Sequence, residues 1–342
     1  MRLYICGNGF DLHHGLQTSY KSYKEFLSSK YSDVISDYEE FVGVFDNGRI
    51  AWSNIEDALK IDYLKMLRRY ADLPSVSDEV YYRSHENNAL YYGRNDLEDS
   101  FRGLTYFITN FTGKFLYDWL SSIDIKSATP DLDLSPKDLY INFNYLDTLQ
   151  MLYRIPDDNI FHIHGSLKKL KSLKKATAEC KQYCLDMYTP EVGKEEALDI
   201  WRLSFGPSFQ NMYIRQELQF GAVINKEKEL NKLNKWYNSD KEFADYVGPS
   251  ISVIEDFVEK STKKLSSNYY KLTHFVWTHN DIDTVVVMGH TLNGVDYPYY
   301  KEILVPFLKD KLWVFKSHNG NTSEIMRFIK ITKLKKYHIE TW

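Results

Sequence analysis

The sequence has few cysteines, no long hydrophobic run and little net charge. Its 342 residues include 3 cysteines, which are too few for a disulfide framework and fit a reducing cytoplasm. No apolar run approaches the length of a membrane-spanning helix, and the apolar residues 2–6 are too few for a secretion signal. The net charge of −4 provides no general attraction to nucleic acid or to an anionic membrane. We therefore expect a cytoplasmic protein with no membrane contact and no nucleic-acid partner.

Hydrophobic residues make up 43% of the chain, which is enough for a packed core, and many of them fall in short β-prone runs. The runs at residues 2–6, 139–143, 160–164, 284–289 and 312–316 are typical of strands in a parallel sheet. Between them, apolar residues spaced by about 3.6 positions predict helices. We therefore predict an α/β fold with a Rossmann-like, mostly parallel sheet flanked by helices.

The helical stretches predict a single domain over residues 1–342 that carries two insertions. The first insertion covers about 20–135 and the second, also mostly helical, about 167–280. Within the second, we predict a strand end and loop at residues 203–210. Residues 333–342 are predicted to form a short basic tail.

Residues 138–166 predict a strand, a helix and a second strand. Asn144 begins the turn after the first strand, and Asp147 and Thr148 can cap the helix that follows. His164 lies at the end of the second strand. In open parallel sheets, ligands bind outside the carboxyl ends of the strands. An amide and an imidazole at two such ends therefore predict a site.

A glycine turn, GNGFD, follows the first strand at residues 7–11. Free N–H groups at the start of a helix attract anions, so this turn can cradle a phosphate. It lacks the third glycine of the dinucleotide fingerprint, because Leu12 stands in that place. A phosphate-facing turn and a plain tight turn therefore both stay open. Adjacent side chains diverge on a helix, so His13 and His14 do not predict a metal site.

A similar turn follows a later strand. The apolar run at residues 284–288 leads into GHT at residues 289–291, and Asp296 comes shortly after. A small-residue turn thus again lies at the carboxyl end of a strand. Residues 168–175 contain five lysines. Three interpretations stay open for them: a solvated helix face, a patch that steers a phosphate, or a basic contact surface.

Three groups of motifs, GNGFD…GLQTSY, FNYLDT…HIHG and GHTL…D, resemble in their order the AbiH family of bacterial phage abortive-infection proteins. The resemblance runs from the first residues to near the C-terminus. More distantly, the same motifs resemble the sirtuin-like NAD-binding fold. Asn144 and Asp147 are similar to the sirtuin asparagine–aspartate pair at the nicotinamide ribose, although the acid falls one residue further on. His164 and Gly165 are similar to the catalytic His-Gly, but the four-cysteine zinc ribbon that follows it is missing, which argues against deacylation.

The resemblance implies a phage-defence protein that hydrolyses NAD+ to nicotinamide and ADP-ribose, with NAD as substrate and with no cofactor or metal. The nicotinamide–ribose bond breaks through an oxocarbenium-like sugar, so positioning and electrostatics matter more than a nucleophile. An imidazole of near-neutral pKa suits the proton transfer. The implied catalytic residues are Asn144, His164, Asp147 and Asp11. The implied nucleotide-binding residues are Gly7, Asn8, Gly9, Phe10, Thr18, Gly165, Gly289, His290, Thr291 and Asp296.

Two other functions stay open. A nucleotide-binding sensor or interaction module would keep the glycine turn without turning a substrate over. A nuclease fits less well, because the net charge is acidic and the sequence has no clear cluster of metal ligands. NAD or a related nucleotide is the expected ligand of either the hydrolase or the sensor. A phage-derived trigger and a homo-oligomer are left open as partners.

Overall fold

The structure is a computed structural model that describes most of the chain. The described residues are 1–36, 39, 52, 55–60, 99, 102–103, 105–239, 252–263, 265–317, 320 and 322–342. The chain divides into two compact units. The first is formed by Met1–Tyr23, Gly113–Gln219 and Lys264–Trp342, and the second by Lys24–Thr112 and Phe220–Lys263. The single domain with two insertions stays a prediction.

Six parallel strands in the described part of the first unit form one sheet. They are β1 (Arg2–Cys6), β2 (Leu139–Asn142), β3 (Ile160–His162), β4 (Thr284–Met288), β5 (Leu312–Ser317) and β6 (Tyr337–Thr341). Their order is β3-β2-β1-β4-β5-β6, and every neighbouring pair is parallel. This is the strand order of the Rossmann fold, so the predicted α/β, Rossmann-like class is confirmed. The topological switch point of the sheet lies between β1 and β4, where the strand order reverses.

β1 is a central strand, and its side chains contribute to both faces of the sheet. Leu3 and Ile5 belong to one apolar core, whereas Tyr4 and Cys6 belong to another. Successive side chains of a strand point to opposite faces, so the two cores lie on opposite sides of the sheet. Parallel strands covered on both faces are nearly continuously apolar, which is why the runs of β1, β2 and β4 were recognisable in the sequence.

The described residues form helices in both units. They are α1 (Asn8–His13), α2 (Tyr20–Lys30), α3 (Ile55–Ala58), α4 (Lys114–Ser122), α5 (Thr148–Tyr153), α6 (Leu173–Val192), α7 (Lys194–Ile200), α8 (Gly206–Glu217), α9 (Lys226–Ser239), α10 (Leu265–Trp277), α11 (Tyr297–Tyr299), α12 (Val305–Leu308) and α13 (Ser323–Thr332). A π-helical segment, Trp201–Phe205, joins α7 to α8, and another, Tyr300–Leu304, joins α11 to α12. Among the described residues, no helix combines the length and the apolarity needed to cross a bilayer.

The helices of the first unit cover the sheet on both faces. On one face, Val276 of α10, Leu304 and Phe328 of α13 pack in the core with Leu3 and Ile5 of β1. On the other face, α1 and α5 provide the cover, since the cores there include a phenylalanine of α1 and a leucine of α5. The two short helices that follow β1 and β2 therefore lie on the same side of the sheet.

Two sequence-based predictions of secondary structure are wrong. Residues 203–210, predicted as a strand end and loop, are helical, and α8 begins within them. Pro207 lies in the first turn of α8, where proline is tolerated because its missing N–H is not required. Residues 333–342, predicted as a tail, contain β6, which pairs with β5. β6 is an edge strand and is largely exposed, so it lacks the apolar run of a buried strand.

In the second unit, a buried ion pair joins Glu56 of α3 to Lys263. The Nζ–Oε1 distance is 2.6 Å, and the side chains are 9% and 1% exposed. Burying a charge costs solvation, which pairing with an opposite charge offsets. The pair therefore links α3 to the segment at residues 252–263 within this unit.

Trp313 of β5 tests how much the core on one face contributes to stability. It is fully buried, and its indole N–H donates to the Leu308 carbonyl at 2.9 Å. We expect Trp313→Ala to lower the free energy of unfolding by about 3–5 kcal/mol, the usual cost of deleting a large buried side chain. Urea unfolding measures the change.

The matched control is Trp277→Ala, because Trp277 is 70% exposed. Its free energy of unfolding should stay within about 0.5 kcal/mol of the wild-type value. Equal losses in the two variants would contradict the packing described for Trp313.

Candidate functional site

The ends of β1, β2 and β4 meet at Gly7. The Gly7 amide donates to the Met288 carbonyl at 3.0 Å, and the Gly7 carbonyl accepts from Asn144 Nδ2 at 2.8 Å. On a further side, a Cβ atom added to Gly7 would collide with the Cα atom of His290. Gly7 therefore holds Asn144 and His290 next to itself, at the switch point of the sheet.

The turns after β1 and β4 pack backbone against backbone. The Gly9 amide donates to the Gly289 carbonyl at 2.7 Å, and a Cβ atom on Gly9 would lie 2.6 Å from the Gly289 Cα atom. Gly289 has a φ of +58°, in the left-handed region that favours glycine. Packing between the two turns thus explains both glycines without a ligand. Contact between the GNGFD turn and a phosphate stays a prediction.

His164 and Gly165 are held by the chain that follows α8. The Gln219 amide donates to the His164 carbonyl at 2.9 Å. Gly165 has a φ of +85°, and a Cβ atom there would collide with the Glu217 carbonyl oxygen. Only glycine fits this conformation and this contact, so the second position of the His-Gly pair has a structural requirement of its own.

Four side chains, His164, His290, Asp296 and Tyr300, form what we call the Asp296 cluster. His164 Nε2 lies 2.9 Å from one carboxylate oxygen of Asp296, and His290 Nε2 lies 3.5 Å from the other. The Tyr300 hydroxyl is 2.8 Å from His290 Nδ1. The side chains of His164, His290 and Asp296 are 3%, 5% and 16% exposed. The structure thus brings together three of the predicted site residues, from the ends of β3 and β4.

The Phe143 ring packs against this cluster. Its centroid lies 4.0 Å from that of His290 and 5.6 Å from that of His164. Burial raises the pKa of Tyr300 well above its ordinary value, and the negative charge of Asp296 adds to the effect. The Tyr300 hydroxyl therefore stays protonated and can donate a hydrogen bond to His290 Nδ1.

Asn144 is oriented by two hydrogen bonds. Its backbone N–H donates to Asn142 Oδ1 at 2.9 Å, and its side-chain Nδ2 donates to the Gly7 carbonyl at 2.8 Å. Within the described part of the chain, Asn144 Oδ1 accepts no hydrogen bond. That oxygen is therefore the group that Asn144 can offer to a ligand.

Sequence reasoning missed Asn142 and Tyr300. Asn142 is the last residue of β2 and is 1% exposed. A single amide at the end of an otherwise apolar strand is a signal that could have identified it. Tyr300 lies about one helical turn after Asp296, since an α-helix has roughly 3.6 residues per turn. That spacing becomes informative only when the helix at residues 297–308 is recognised.

No described hydrogen bond or ion pair joins Asp147 to the Asp296 cluster. The Asp147 carboxylate accepts from the Ser166 hydroxyl at 2.7 Å. Burial raises the pKa of Asp147, and the Ser166 hydroxyl partly opposes this rise. The prediction that Asp147 and Thr148 can cap α5 is confirmed for the position of Asp147 but not for a side-chain hydrogen bond. Asp147 occupies the N-cap position, but its carboxylate makes no capping bond because it turns to Ser166.

Asp11 lies in α1 and is 1% exposed. Neither of its carboxyl oxygens makes a hydrogen bond of ordinary geometry with the described residues. Burial raises the pKa of Asp11 to about 7, although the neighbouring Thr148 hydroxyl favours the carboxylate. Asp11 is therefore partly protonated at neutral pH, and no described hydrogen bond or ion pair links it to the Asp296 cluster.

The other predicted nucleotide-binding residues lie on the same turns or next to them. Asn8 Nδ2 donates to the Thr18 carbonyl at 2.9 Å and so connects α1 to the turn before α2. Phe10 is 1% exposed and packs in the core with Cys6. Thr291 is exposed. Contact of these residues with a nucleotide stays a prediction.

His13 and His14 both approach Asp131. Their Nε2 atoms lie 2.9 Å and 3.4 Å from its carboxylate oxygens. The expected divergence of the two side chains is wrong, because α1 ends at His13 and His14 already lies in the cap. Within the described ranges, no group of three or more histidine, cysteine and acidic side chains could hold a metal ion.

The lysines at residues 168–175 are all exposed. Lys168 pairs with Asp157, and Lys175 lies 3.8 Å from Glu179. Such exposed pairs contribute little to stability, as expected for a solvated face. Steering of a phosphate by these lysines stays a prediction.

Comparison with known proteins identifies a family. Residues 3–317 match the model of the family described as Bacteriophage abortive infection AbiH. The matched range contains the glycine turn, Asn144 and all four members of the Asp296 cluster. No solved structure matches the chain, and the resemblance to the sirtuin-like fold stays a prediction.

The buried carboxyl of Asp11 makes the stability of the protein depend on pH. Its pKa of about 7 in the native state lies above the ordinary 3.8, so the native state retains a proton that the unfolded state loses. The free energy of unfolding should therefore fall as the pH rises from about 4 to about 7, and this contribution should level off above. Asp11→Asn resembles the protonated form and should gain stability over wild type across this interval, by up to roughly 4 kcal/mol.

Urea unfolding of wild type and variant at a series of pH values measures this difference. Asp158→Asn changes an exposed aspartate and serves as the control, whose difference from wild type should stay constant. A constant difference for Asp11→Asn as well would contradict the raised pKa.

Proposed function

The chain belongs to the AbiH family of bacteriophage abortive infection, and we propose that it serves this defence by hydrolysing NAD+ to nicotinamide and ADP-ribose. Family membership supports the role in phage defence. The hydrolytic activity is the proposal, and the observation that carries it is the contact of His164 with Asp296 at 2.9 Å. His164 and Asn144 both follow the carboxyl ends of strands, outside which Rossmann folds bind their ligands.

The proposed reaction needs one proton acceptor and a site that positions the sugar. The oxygen of a water forms a bond to C1′ of the nicotinamide ribose, and the bond from C1′ to the nicotinamide nitrogen breaks. Its electron pair leaves on nicotinamide, and the water proton passes to His164. A histidine is suited to this transfer near neutral pH.

Asn144 would orient the ribose or the attacking water. Its Nδ2 donates to the Gly7 carbonyl, so Oδ1 is the atom that would accept a hydrogen bond from the ribose or the water. Such orientation lowers the barrier because the reacting atoms no longer need to be brought together.

Asp147 and Asp11 would stabilise positive charge that develops on the sugar. For Asp11, with its pKa of about 7, this contribution grows as the pH rises past neutrality, since only the ionised form carries the charge. The remaining contacts to the dinucleotide would come from Gly7, Asn8, Gly9, Phe10, Thr18, Gly165, Gly289, His290 and Thr291. In this proposal NAD is the substrate, no cofactor is required, and a phage-derived trigger acts in the bacterial cytoplasm.

A nucleotide-binding module without turnover is the second candidate. The observation that favours it is the burial of the proposed base, because the His164 side chain is only 3% exposed. For hydrolysis the substrate must reach the His164 ring. A ligand that only binds at the carboxyl ends of the strands does not need to reach it.

Release of nicotinamide from NAD+ by the purified protein tests the hydrolase. We expect release by wild type and a loss of at least about 100-fold in His164→Ala, the scale on which a missing general base lowers rates. His338→Ala is the matched control, since the His338 side chain is 64% exposed on β6, and it should keep the wild-type rate.

A thermal-shift titration with NAD+ and ADP-ribose on the same samples separates the two candidates. A shift without release would support the binding module. Neither release nor a shift would overturn both, together with the assignment of a dinucleotide to this edge of the sheet.

A further inference from the structure

We propose that Asp296 fixes the proton of His164 on Nε2, and that His290 and Tyr300 hold Asp296 in position to do so. The resemblance implied a nucleotide contact for Asp296, whereas the geometry points to a positioning residue. Its catalytic consequence rests on the proposed function, but the arrangement of protons does not. His164 and Asp296 are 132 positions apart in the sequence, so only the fold brings them together.

The first oxygen of Asp296 determines the tautomer of His164. That oxygen lies 2.9 Å from His164 Nε2, and a carboxylate can only accept a hydrogen bond. His164 must therefore present an N–H group at Nε2. A neutral imidazole carries one proton, so Nδ1 is the basic nitrogen of this ring.

The second oxygen of Asp296 faces His290, and the hydrogen bond from Tyr300 determines the tautomer of that ring. Tyr300 is fully buried, and among the described residues the one hydrogen-bond partner of its hydroxyl is His290 Nδ1, at 2.8 Å. The hydroxyl therefore donates its hydrogen bond to that nitrogen. The proton of the neutral His290 ring is therefore on Nε2, 3.5 Å from the second oxygen of Asp296. Both oxygens of Asp296 thus face N–H groups.

The surrounding chain restricts the movement of these groups. Asp296 ends the short 3₁₀ helix Gly294–Asp296, directly before α11. Ahead of it, the Leu292 amide donates to Glu324 of α13 at 2.6 Å. The loop between His290 and Asp296 is therefore anchored to a helix of the first unit, which favours one fixed geometry.

Several elements present titratable or charged groups to this cluster. They are Asp296 and Tyr299 next to His164, Tyr145 from the turn after β2, and Glu324 and Cys6 near Tyr300. Asp296 contacts the His164 ring at hydrogen-bonding distance, whereas the ring of Tyr145 is 6.2 Å from it between centroids. The negative charge of Asp296 therefore favours protonation of His164 most directly.

This arrangement suits the proton transfer of the proposed reaction. Nδ1 of His164 takes the proton of the attacking water as the C1′ bond to nicotinamide breaks. The resulting imidazolium keeps its Nε2–H on Asp296, which stabilises the positive charge without taking the proton itself.

Histidine-ring NMR of the whole protein tests the proton arrangement without substrate. Long-range ¹H–¹⁵N spectra of protein labelled at its 10 histidines report the tautomer of each ring, and His164→Gln assigns the His164 signals. We expect the Nε2–H tautomer for His164 in wild type. Asp296→Asn should lower the His164 pKa by at least about one unit, because the adjacent negative charge is lost.

Two further variants complete the test. Tyr300→Phe should leave the His164 proton on Nε2 and shift the His290 Nδ1 resonance, since that nitrogen loses its hydrogen-bond donor. Asp310→Asn changes an exposed aspartate and should alter neither ring. The proposal is overturned by an Nδ1–H tautomer of His164 in wild type, or by equal His164 pKa values in wild type and Asp296→Asn. If Asp296→Asn does not fold by circular dichroism, an unchanged His290 ring in Tyr300→Phe overturns it.

The pH profile of nicotinamide release provides a separate reading. The acid limb of the Asp296→Asn profile should move to lower pH, because its base is easier to deprotonate. If wild type releases no nicotinamide, the proposed function fails, while the NMR result still decides the role of Asp296.

Discussion

The site depends on the contact between the turns that follow β1 and β4. Because Gly9 and Gly289 carry no side chains, the two backbones approach closely enough for a hydrogen bond of 2.7 Å. Gly7 occupies the same contact, with Asn144 on its carbonyl and His290 against its Cα. Any added Cβ would separate the turns and move His290 away from β1. The glycines therefore serve the site by bringing the polar groups of neighbouring strands together.

Pairing and burial act differently on two of the acidic side chains. Asp296 faces imidazole N–H groups with both oxygens, as expected for a carboxylate that organises its neighbours. Asp11 is buried without such donors among the described residues, and its pKa rises to about 7. The same residue type thus presents a fixed acceptor in one place and a group that titrates near neutrality in another.

Membership of the AbiH family makes phage defence the setting of this chemistry. The packing explanation for Gly7 and Gly9 weakens the argument that this turn exists to hold a phosphate. The case for NAD+ hydrolysis therefore rests on Asn144 and His164, which follow the carboxyl ends of β2 and β3 in a Rossmann-order sheet. An amide and a histidine with a carboxylate partner suit a reaction that needs positioning and one proton transfer.

The sequence by itself determined the α/β class and the places where β1, β2 and β4 end, because strands covered on both faces are recognisable as apolar runs. It also placed Asn144 and His164 at strand ends. It could not reveal β6, whose exposed edge position leaves no apolar run, nor the helix at residues 203–210. Only the tertiary structure decided that His164 pairs with Asp296, 132 positions away. It also decided that Gly9 and Gly289 are required by the close packing of two turns. The local sequence pattern shows whether a segment is buried or exposed. It does not show which distant segment packs against it, and the His164–Asp296 contact and the glycine packing depend on that.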